Sequence, residues 1–103
     1  MLNQVVIVGR LVEKPIVEEN ENEKKVCNII LAVQRSYKNA EGVYETDFIK
    51  CTLWNWIAET ATEYCKKGDL VGIKGRLQCT DSKLEVIAEK VSFLSSSKKD
   101  DGD

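Results

Sequence analysis

The stretch at residues 47–55, Asp-Phe-Ile-Lys-Cys-Thr-Leu-Trp-Asn, carries the pattern that decides the fold. Side chains alternate across a strand, so Ile49, Cys51 and Leu53 share one face and form the apolar set that a buried face requires. The opposite face combines two large aromatic rings with polar groups, namely Phe48, Lys50, Thr52 and Trp54. Ring surface left in water beside a positive charge is what proteins offer to unstacked nucleic-acid bases. The strand therefore predicts a nucleic-acid binding face.

The segments around this strand predict a mostly β domain with one helix. The complete set of predicted strands is residues 3–12, 25–35, 47–55, 70–78 and 83–94. The second of these strands is nearly apolar throughout, so we expect it to be covered on both sides for part of its length. Between the third and fourth strands, apolar residues recur with a helical period from Ile57 to Cys65, and Asn55 is the expected N-cap.

Five short strands with one helix between the third and fourth match the OB-fold, a five-stranded Greek-key barrel. In that fold the second and third strands form the usual binding surface, and the exposed aromatics lie on the third strand. A chain of 103 residues forms one domain, which we place at residues 1–94. Residues 95–103 contain no apolar side chain and predict a short, disordered, acidic tail.

The net charge of −2 does not exclude a nucleic-acid partner, because the acidic residues are unevenly distributed. Seven of the 17 acids lie in one loop and in the tail, at Glu18, Glu19, Glu21, Glu23, Asp100, Asp101 and Asp103. Without these seven, ten acids remain against 15 lysines and arginines. The body of the domain is therefore mildly basic.

Composition argues against most enzyme classes. The chain has no histidine, which removes the commonest general base and metal ligand. Its four cysteines form no CxxC pair, and we expect buried thiols at Cys27, Cys51 and Cys65 and less burial at Cys79. We therefore expect no catalysis, no metal and no cofactor. No run approaches the ~20 apolar residues of a membrane span, and the first residues lack a basic signal region, so we expect a cytoplasmic protein without membrane contact.

Several linked motifs in this order resemble the bacterial single-stranded DNA-binding proteins. The similarity covers residues 3–94, nearly all of the domain. It is carried by Val-Val-Ile-Val-Gly-Arg-Leu at 5–11, Leu-Ala-Val-Gln-Arg-Ser-Tyr at 31–37, Thr-Asp-Phe-Ile at 46–49 with Trp54, Ala-Glu at 58–59, Tyr-Cys-Lys-Lys-Gly at 64–68 and Val-Gly-Ile-Lys-Gly-Arg-Leu at 71–77.

The resemblance implies sequence-independent binding and protection of single-stranded DNA during replication, recombination and repair. It places stacking aromatics at Tyr37, Phe48 and Trp54. It also implies that basic side chains line the path of the strand, at Arg10, Arg35, Lys50, Lys74 and Arg76. Arg10 and Arg35 have an alternative role, since either can pair with Glu45 or another acid. We expect Trp56, at the start of the helix, to cover the end of the barrel.

The resemblance further implies a homotetramer, assembled partly through pairing of first strands between subunits. That assembly would explain why Val6 and Val8 make the outer face of the first strand apolar. A nucleoid-associated location in the bacterial cytoplasm follows from the same resemblance.

Two features depart from the family pattern. The family joins its fourth and fifth strands by a long hairpin that usually carries another aromatic, whereas few residues join Gln78 to Lys83 here. We therefore expect a smaller site or weaker binding. The family's tail ends in an acidic tip closed by apolar residues, whereas residues 98–103 are Lys-Lys-Asp-Asp-Gly-Asp. Recruitment of partner proteins through the tail is accordingly in doubt.

Two alternatives remain open from the sequence. One is an OB-fold accessory protein of the primosome, similar to primosomal replication protein N, which is shorter and dimeric. The other is an OB-fold module that binds a protein through the same aromatic face. Solution mass separates the first alternative from a tetramer, and quenching of tryptophan fluorescence by oligo(dT) separates the second from a DNA-binding protein.

Overall fold

In the computed structural model, which describes residues 1–96, six strands and one helix follow one another along the chain. They are β1 (Val5–Leu11), β2 (Glu18–Glu19), β3 (Lys25–Lys38), β4 (Tyr44–Trp54), α1 (Asn55–Tyr64), β5 (Leu70–Thr80) and β6 (Lys83–Ser95). The five predicted strands correspond to β1, β3, β4, β5 and β6, and β2 is a two-residue addition at the edge of β3. The predicted OB-fold, with its helix between the third and fourth main strands, is confirmed.

The sheet closes into a barrel because β1 pairs with two strands. The strands follow the order β1-β5-β6-β4-β3-β2 in the sheet, and β1 at one edge pairs with β5. The last two residues of β1, Arg10 and Leu11, also pair with β3. Two inward glycines allow neighbouring strands to approach closely, Gly9 between β1 and β3 and Gly75 between β5 and β6. A Cβ at Gly9 would meet the carbonyl oxygen of Ala32 at 2.8 Å, and one at Gly75 would collide with the carbonyl oxygen of Ile87. Any larger residue at either position would push the strands apart.

The barrel interior holds the apolar face predicted for β4. Cys51 and Leu53 are fully buried, and Ile49 packs against the same cluster. The cluster also contains Cys27, Leu31, Ala58, Ala61, Val71 and Ile73. Burial of Cys27, Cys51 and Cys65 and exposure of Cys79 agree with the prediction for the thiols.

The expectation that β3 is covered on both sides for part of its length is met at the half-buried Val26 and Ala32 and fails in the middle of the strand. Its inner residues Cys27, Ile29 and Leu31 are buried, but Ile30 on the outer face is 41% exposed. The helix packs against β3, β4 and β6, and Phe48 and Lys50 on the outer face of the β3–β4 pair stay exposed. The apolar composition of β3 therefore reflects an exposed surface as well as a core.

The ends of the helix also differ from the prediction. Its N-cap is Trp54, and no side chain caps it. Asn55 is instead the first helical residue and has φ +57°, a left-handed conformation that asparagine tolerates better than most residues. This local turn reverses the chain from β4 into the helix.

A two-residue turn joins β5 to β6, as the short connection in the sequence predicts. Asp81 and Ser82 have φ of +53° and +66°, the positive values that a tight type I′ hairpin requires. At the other end of β6 the strand includes Ser95, and the predicted tail lies outside the described residues from position 97 onward. Among residues 1–96, no helix has the length and apolar character needed to cross a membrane.

Candidate nucleic-acid interface

The outer faces of β3 and β4 form one continuous surface, because the strands pair in register over most of their length. Phe48 lies opposite Ala32, and Lys50 lies opposite Ile30. Small or aliphatic partners leave the larger side chains standing clear of the surface. Phe48 is 68% exposed, although Cys51 and Leu53 on the other face of its strand are sealed in the core. The predicted orientation of this aromatic is confirmed.

Arg10 joins this surface through barrel closure. It pairs in register with Ala32, which itself lies opposite Phe48, so the three residues form a row across β1, β3 and β4. The Arg10 guanidinium donates a hydrogen bond from Nη1 to the carbonyl oxygen of Gly68 at 3.0 Å. Within residues 1–96 it has no carboxylate at ion-pair distance, so the alternative of an acidic partner is not realised for Arg10.

Two tryptophans lie at the junction of β4 and α1. Trp54, the last residue of β4, lies opposite Val26 and is half-buried. Trp56 is 68% exposed, so the expectation that it covers the end of the barrel is wrong. Its position in the first turn of the helix turns it away from the core, which Ala58 and Ala61 fill instead.

Lys50 lines a groove between β4 and the β5–β6 hairpin. The groove has a volume of about 310 Å³ and is lined by Lys50, Thr80, Asp81, Lys83, Leu84 and Glu85. In the described part of the chain, neither Lys50 nor Lys83 forms an ion pair. Two ammonium groups and two carboxylates, those of Asp81 and Glu85, therefore border the groove.

Thr52 departs from the prediction that it shares the wet face, since it is only 5% exposed. Its hydroxyl oxygen lies 3.1 Å from Oδ1 of Asn28 on β3 and 3.1 Å from Oε1 of Glu85 on β6. We call these three residues the polar trio. They connect the three strands at the centre of the outer face, which shields the threonine while leaving Asn28 exposed.

The long β3–β4 arm carries Arg35 and Tyr37. Arg35 is held by two acids, with Nε and Nη2 near the Asp47 carboxylate and Nη1 3.2 Å from Glu45. The alternative role for Arg35, pairing with acids, is therefore the one the structure shows. Tyr37 is exposed near the end of the arm, and Tyr44 has the Lys38 ammonium 5.6 Å from its ring centroid.

Arg76 and Lys74, two residues apart on β5, lie on different surfaces. Arg76 pairs in register with Ile87, which pairs with Thr52, so Arg76 continues the outer face of β4 across β6. Its guanidinium contacts Glu89 at 3.2 Å and Gln78 at 3.0 Å. Lys74 lies opposite Val6 instead and borders a shallow apolar surface with Val6, Val8, Gly72 and Leu94.

Comparison with known sequences shows the family to which the chain is related. The sequence model of the Single-strand binding protein family matches residues 2–94. The chain belongs to this family. Single-stranded DNA-binding protein B of Bacillus subtilis is 41% identical, over 91% of each chain. The single-stranded DNA-binding protein of Halalkalibacterium halodurans is 42% identical over 91% of this chain, and the chain spans 61% of that relative's length.

A solved structure of the same family shares the fold. A deletion mutant of the single-stranded DNA binding protein from Thermus aquaticus superposes with a TM-score of 0.74 at 29% identity. The match covers 97% of this chain and 45% of the Thermus chain. The resemblance read from the strand motifs is confirmed. Within residues 1–96 no group of histidines, cysteines and acids is arranged to hold a metal ion.

The residues predicted to bind DNA divide into three sets by their positions in the structure. Phe48, Lys50, Trp54, Arg10 and Arg76 share the continuous outer face. Arg35 and Tyr37 lie on the arm, and Lys74 lies beside the apolar surface of β1. The sequence did not predict the exposure of Trp56 or the contact between Glu85 and Thr52. A contact between β4 and β6 depends on a parallel strand pairing that no local pattern shows.

Proposed function

We propose that this protein binds single-stranded DNA, the ligand of its family, on the outer face of β3 and β4, and protects it in the bacterial cytoplasm during replication, recombination and repair. The observation that carries the proposal is the exposed ring of Phe48 on a strand whose other face is buried. A ring that contributes nothing to the core, next to the unpaired ammonium of Lys50, suits a base on its phosphate backbone.

Base stacking supplies most of the affinity in this proposal. Each base stacked on an aromatic side chain contributes about 1–3 kcal/mol, with little preference because every base has a π-face. Phe48 and Trp54 lie six residues apart on one strand, so we assign them to successive parts of one bound strand. Trp56, exposed beside Trp54, extends the same surface, and Tyr37 provides a further ring on the arm.

Phosphate contacts supply the electrostatic part of the binding. Lys50 and Arg10 have no acidic partner among residues 1–96, so their full charge is available to the backbone of DNA. Arg76 must share its charge with Glu89 and contributes less. Lysine and arginine at phosphates release condensed counterions, so the affinity falls as the salt concentration rises.

Assembly into a homotetramer would strengthen this binding. Val6 is 70% exposed, and with Val8 and Leu94 it forms an apolar surface that no other part of residues 1–96 covers. Covering this surface with a second copy would place several binding faces on one particle. A strand held by one subunit then meets the next at high effective concentration.

Titration of the purified protein with labelled oligo(dT) at two salt concentrations tests the proposal. We expect binding that weakens with salt, and the double variant Phe48→Ala/Trp54→Ala should bind at least about 30-fold more weakly, the lower limit for losing two stacks. Tyr64→Ala removes a ring of the helix whose exposed fraction, 62%, is close to the 68% of Phe48, and serves as the control. Undiminished binding by the double variant, or no binding by the wild-type protein, would contradict the proposal.

A further inference from the structure

The β3–β4 arm carries an aromatic ring on the same face of β4 as Phe48. At the base of the arm Gln34 pairs with Thr46, and the next pair towards the tip is Lys38 with Tyr44. Between these two pairs β3 advances by four residues and β4 by two, so the extra residues belong to β3 and β4 stays regular. Residues an even number apart on a regular strand share a face, which places Tyr44 on the face that carries Phe48.

The ring of Tyr44 is open to solvent, at a spacing from Phe48 that suits an extended polynucleotide. Tyr44 is 45% exposed and Phe48 is 68% exposed. Four residues along a strand span about 13 Å, which leaves room for nucleotides between the two rings. On this face of β4 the residue between them is Thr46, whose small side chain is exposed. A bound strand can therefore pass from one ring to the other over a low surface.

Lys38 places a positive charge beside this ring. Its Nζ lies 5.6 Å from the centroid of the Tyr44 ring, which is a cation–π contact between two paired residues of β3 and β4. The ammonium takes one face of the ring, and a base can stack on the other. Within residues 1–96 no carboxylate lies at ion-pair distance from Lys38. The arm thus combines a flat ring with an unpaired ammonium, as Phe48 and Lys50 do on the barrel.

The acids of the arm are engaged elsewhere or lie at its tip. Glu45 and Asp47 form ion pairs with Arg35, and their odd positions place them on the other face of β4. Glu45 also accepts a hydrogen bond from the side-chain amide of Asn39 at 3.1 Å. Glu41 is exposed in the turn beyond the paired residues. The face that carries the ring of Tyr44 therefore keeps the positive charge of its lysine.

We propose that Tyr44 and Lys38 form a further DNA-binding subsite, in which the ring stacks on a base and the ammonium contacts a phosphate. The subsite extends the row formed by Trp54 and Phe48 from the barrel onto the arm. It is separate from Tyr37, which lies in the irregular segment of β3. The inference rests on the proposed function, because the subsite acts on a strand already held at the barrel. It adds affinity without a preference among bases, since every base has a π-face.

Titration of Tyr44 variants with labelled oligo(dT) tests the stacking contact. We expect Tyr44→Ala to bind about fivefold more weakly or worse, the lower limit for losing one stack. Tyr44→Leu keeps an apolar side chain without a flat ring and should lose as much, whereas Tyr44→Phe keeps the ring and should bind like the wild-type protein. Val43→Ala trims the exposed apolar residue that precedes Tyr44 and is the matched control, with wild-type affinity expected.

Titration of Lys38→Gln at several salt concentrations tests the phosphate contact. We expect weaker binding and a slope of log affinity against log salt that falls by about one, since one phosphate contact is lost. Lys38→Arg keeps the charge and should keep the wild-type slope. A slope unchanged in Lys38→Gln would overturn the phosphate contact.

Photocrosslinking of the wild-type protein to iodouracil-substituted oligo(dT) separates direct contact from an effect on the structure of the arm. We expect an adduct on Tyr44, identified by mass spectrometry of the digested protein. Wild-type affinity in Tyr44→Ala or Tyr44→Leu, or a Tyr44 that acquires no adduct, would overturn the subsite. Weaker binding by Phe48→Ala/Trp54→Ala would leave the proposed function intact in each of these cases. A wild-type protein that does not bind oligo(dT) would overturn both.

Discussion

Arg35 and Asp47 form a two-point contact across the base of the β3–β4 arm. Nε of Arg35 lies 3.1 Å from Oδ2 of Asp47, and Nη2 lies 2.9 Å from Oδ1. The hydrogen bonds with Asp47 raise the pKa of Arg35, and the same contact lowers the pKa of the Asp47 carboxyl. The pair joins two strands that leave the barrel together. The positive charge of Arg35 therefore stabilises the arm through its acidic partners and is less available to a phosphate.

The contact predicts a stability difference that depends on pH. A carboxyl whose pKa is lowered by folding stabilises the protein above its unfolded pKa, and this contribution is lost as the pH falls through the folded value. Wild-type protein should therefore be more stable than Asp47→Asn at neutral pH, and the two should converge in acid. Denaturant unfolding at a series of pH values measures the difference. Glu41→Gln, which removes an exposed acid from the tip of the same arm, should show no such convergence.

Lys50 provides the clearest test of the phosphate contacts. We expect Lys50→Gln to weaken oligo(dT) binding and to reduce the slope of log affinity against log salt by about one, since one phosphate contact is lost. Titration at several salt concentrations gives the slope. Lys24→Gln removes an exposed lysine in the loop before β3 and is the matched control. A slope equal to that of the control would mean that Lys50 contacts no phosphate.

Most of the fold follows from local patterns in the sequence. Alternation in β4 placed Ile49, Cys51 and Leu53 inside and Phe48 outside, because each residue of a half-buried strand meets a single environment. The order of strands and helix, together with the short β5–β6 turn, then left few topologies compatible with the chain.

The remaining errors concern residues whose environment is set by distant parts of the chain. Thr52 is buried by Asn28 and Glu85, which approach it from two different strands. Arg35 is neutralised by acids ten and twelve residues away, across the arm. Trp56 is exposed because the small side chains of the helix, Ala58 and Ala61, fill the barrel end. The local periodicity of the sequence predicts none of these three environments.

The four thiols should react in two classes. Burial raises the pKa of Cys51 to about 11, and burial also raises the pKa of Cys27 and Cys65. Burial and the raised pKa both lower the reactivity of these three thiols, because the thiolate is the reactive form. Cys79, exposed near the end of β5, should react with a colorimetric disulfide reagent at once in native protein, and the other three should react only on unfolding. Cys79→Ser should abolish the fast phase, and a second fast thiol would show that the barrel opens more readily than its packing implies.

The apolar surface around Val6 predicts how the protein assembles. If second copies cover it, wild-type protein should sediment as a tetramer of 11.6 kDa chains. Val6→Asp should yield smaller species, because burying an unpaired carboxylate at an interface opposes association. It should also weaken binding to long oligo(dT) more than to short oligo(dT), since the linked sites are lost. Ile16→Asp, at a similarly exposed apolar residue outside this surface, is the control and should keep the wild-type mass. A stable wild-type dimer would favour the arrangement of the primosomal accessory proteins, and a wild-type monomer would show that this surface joins no second copy.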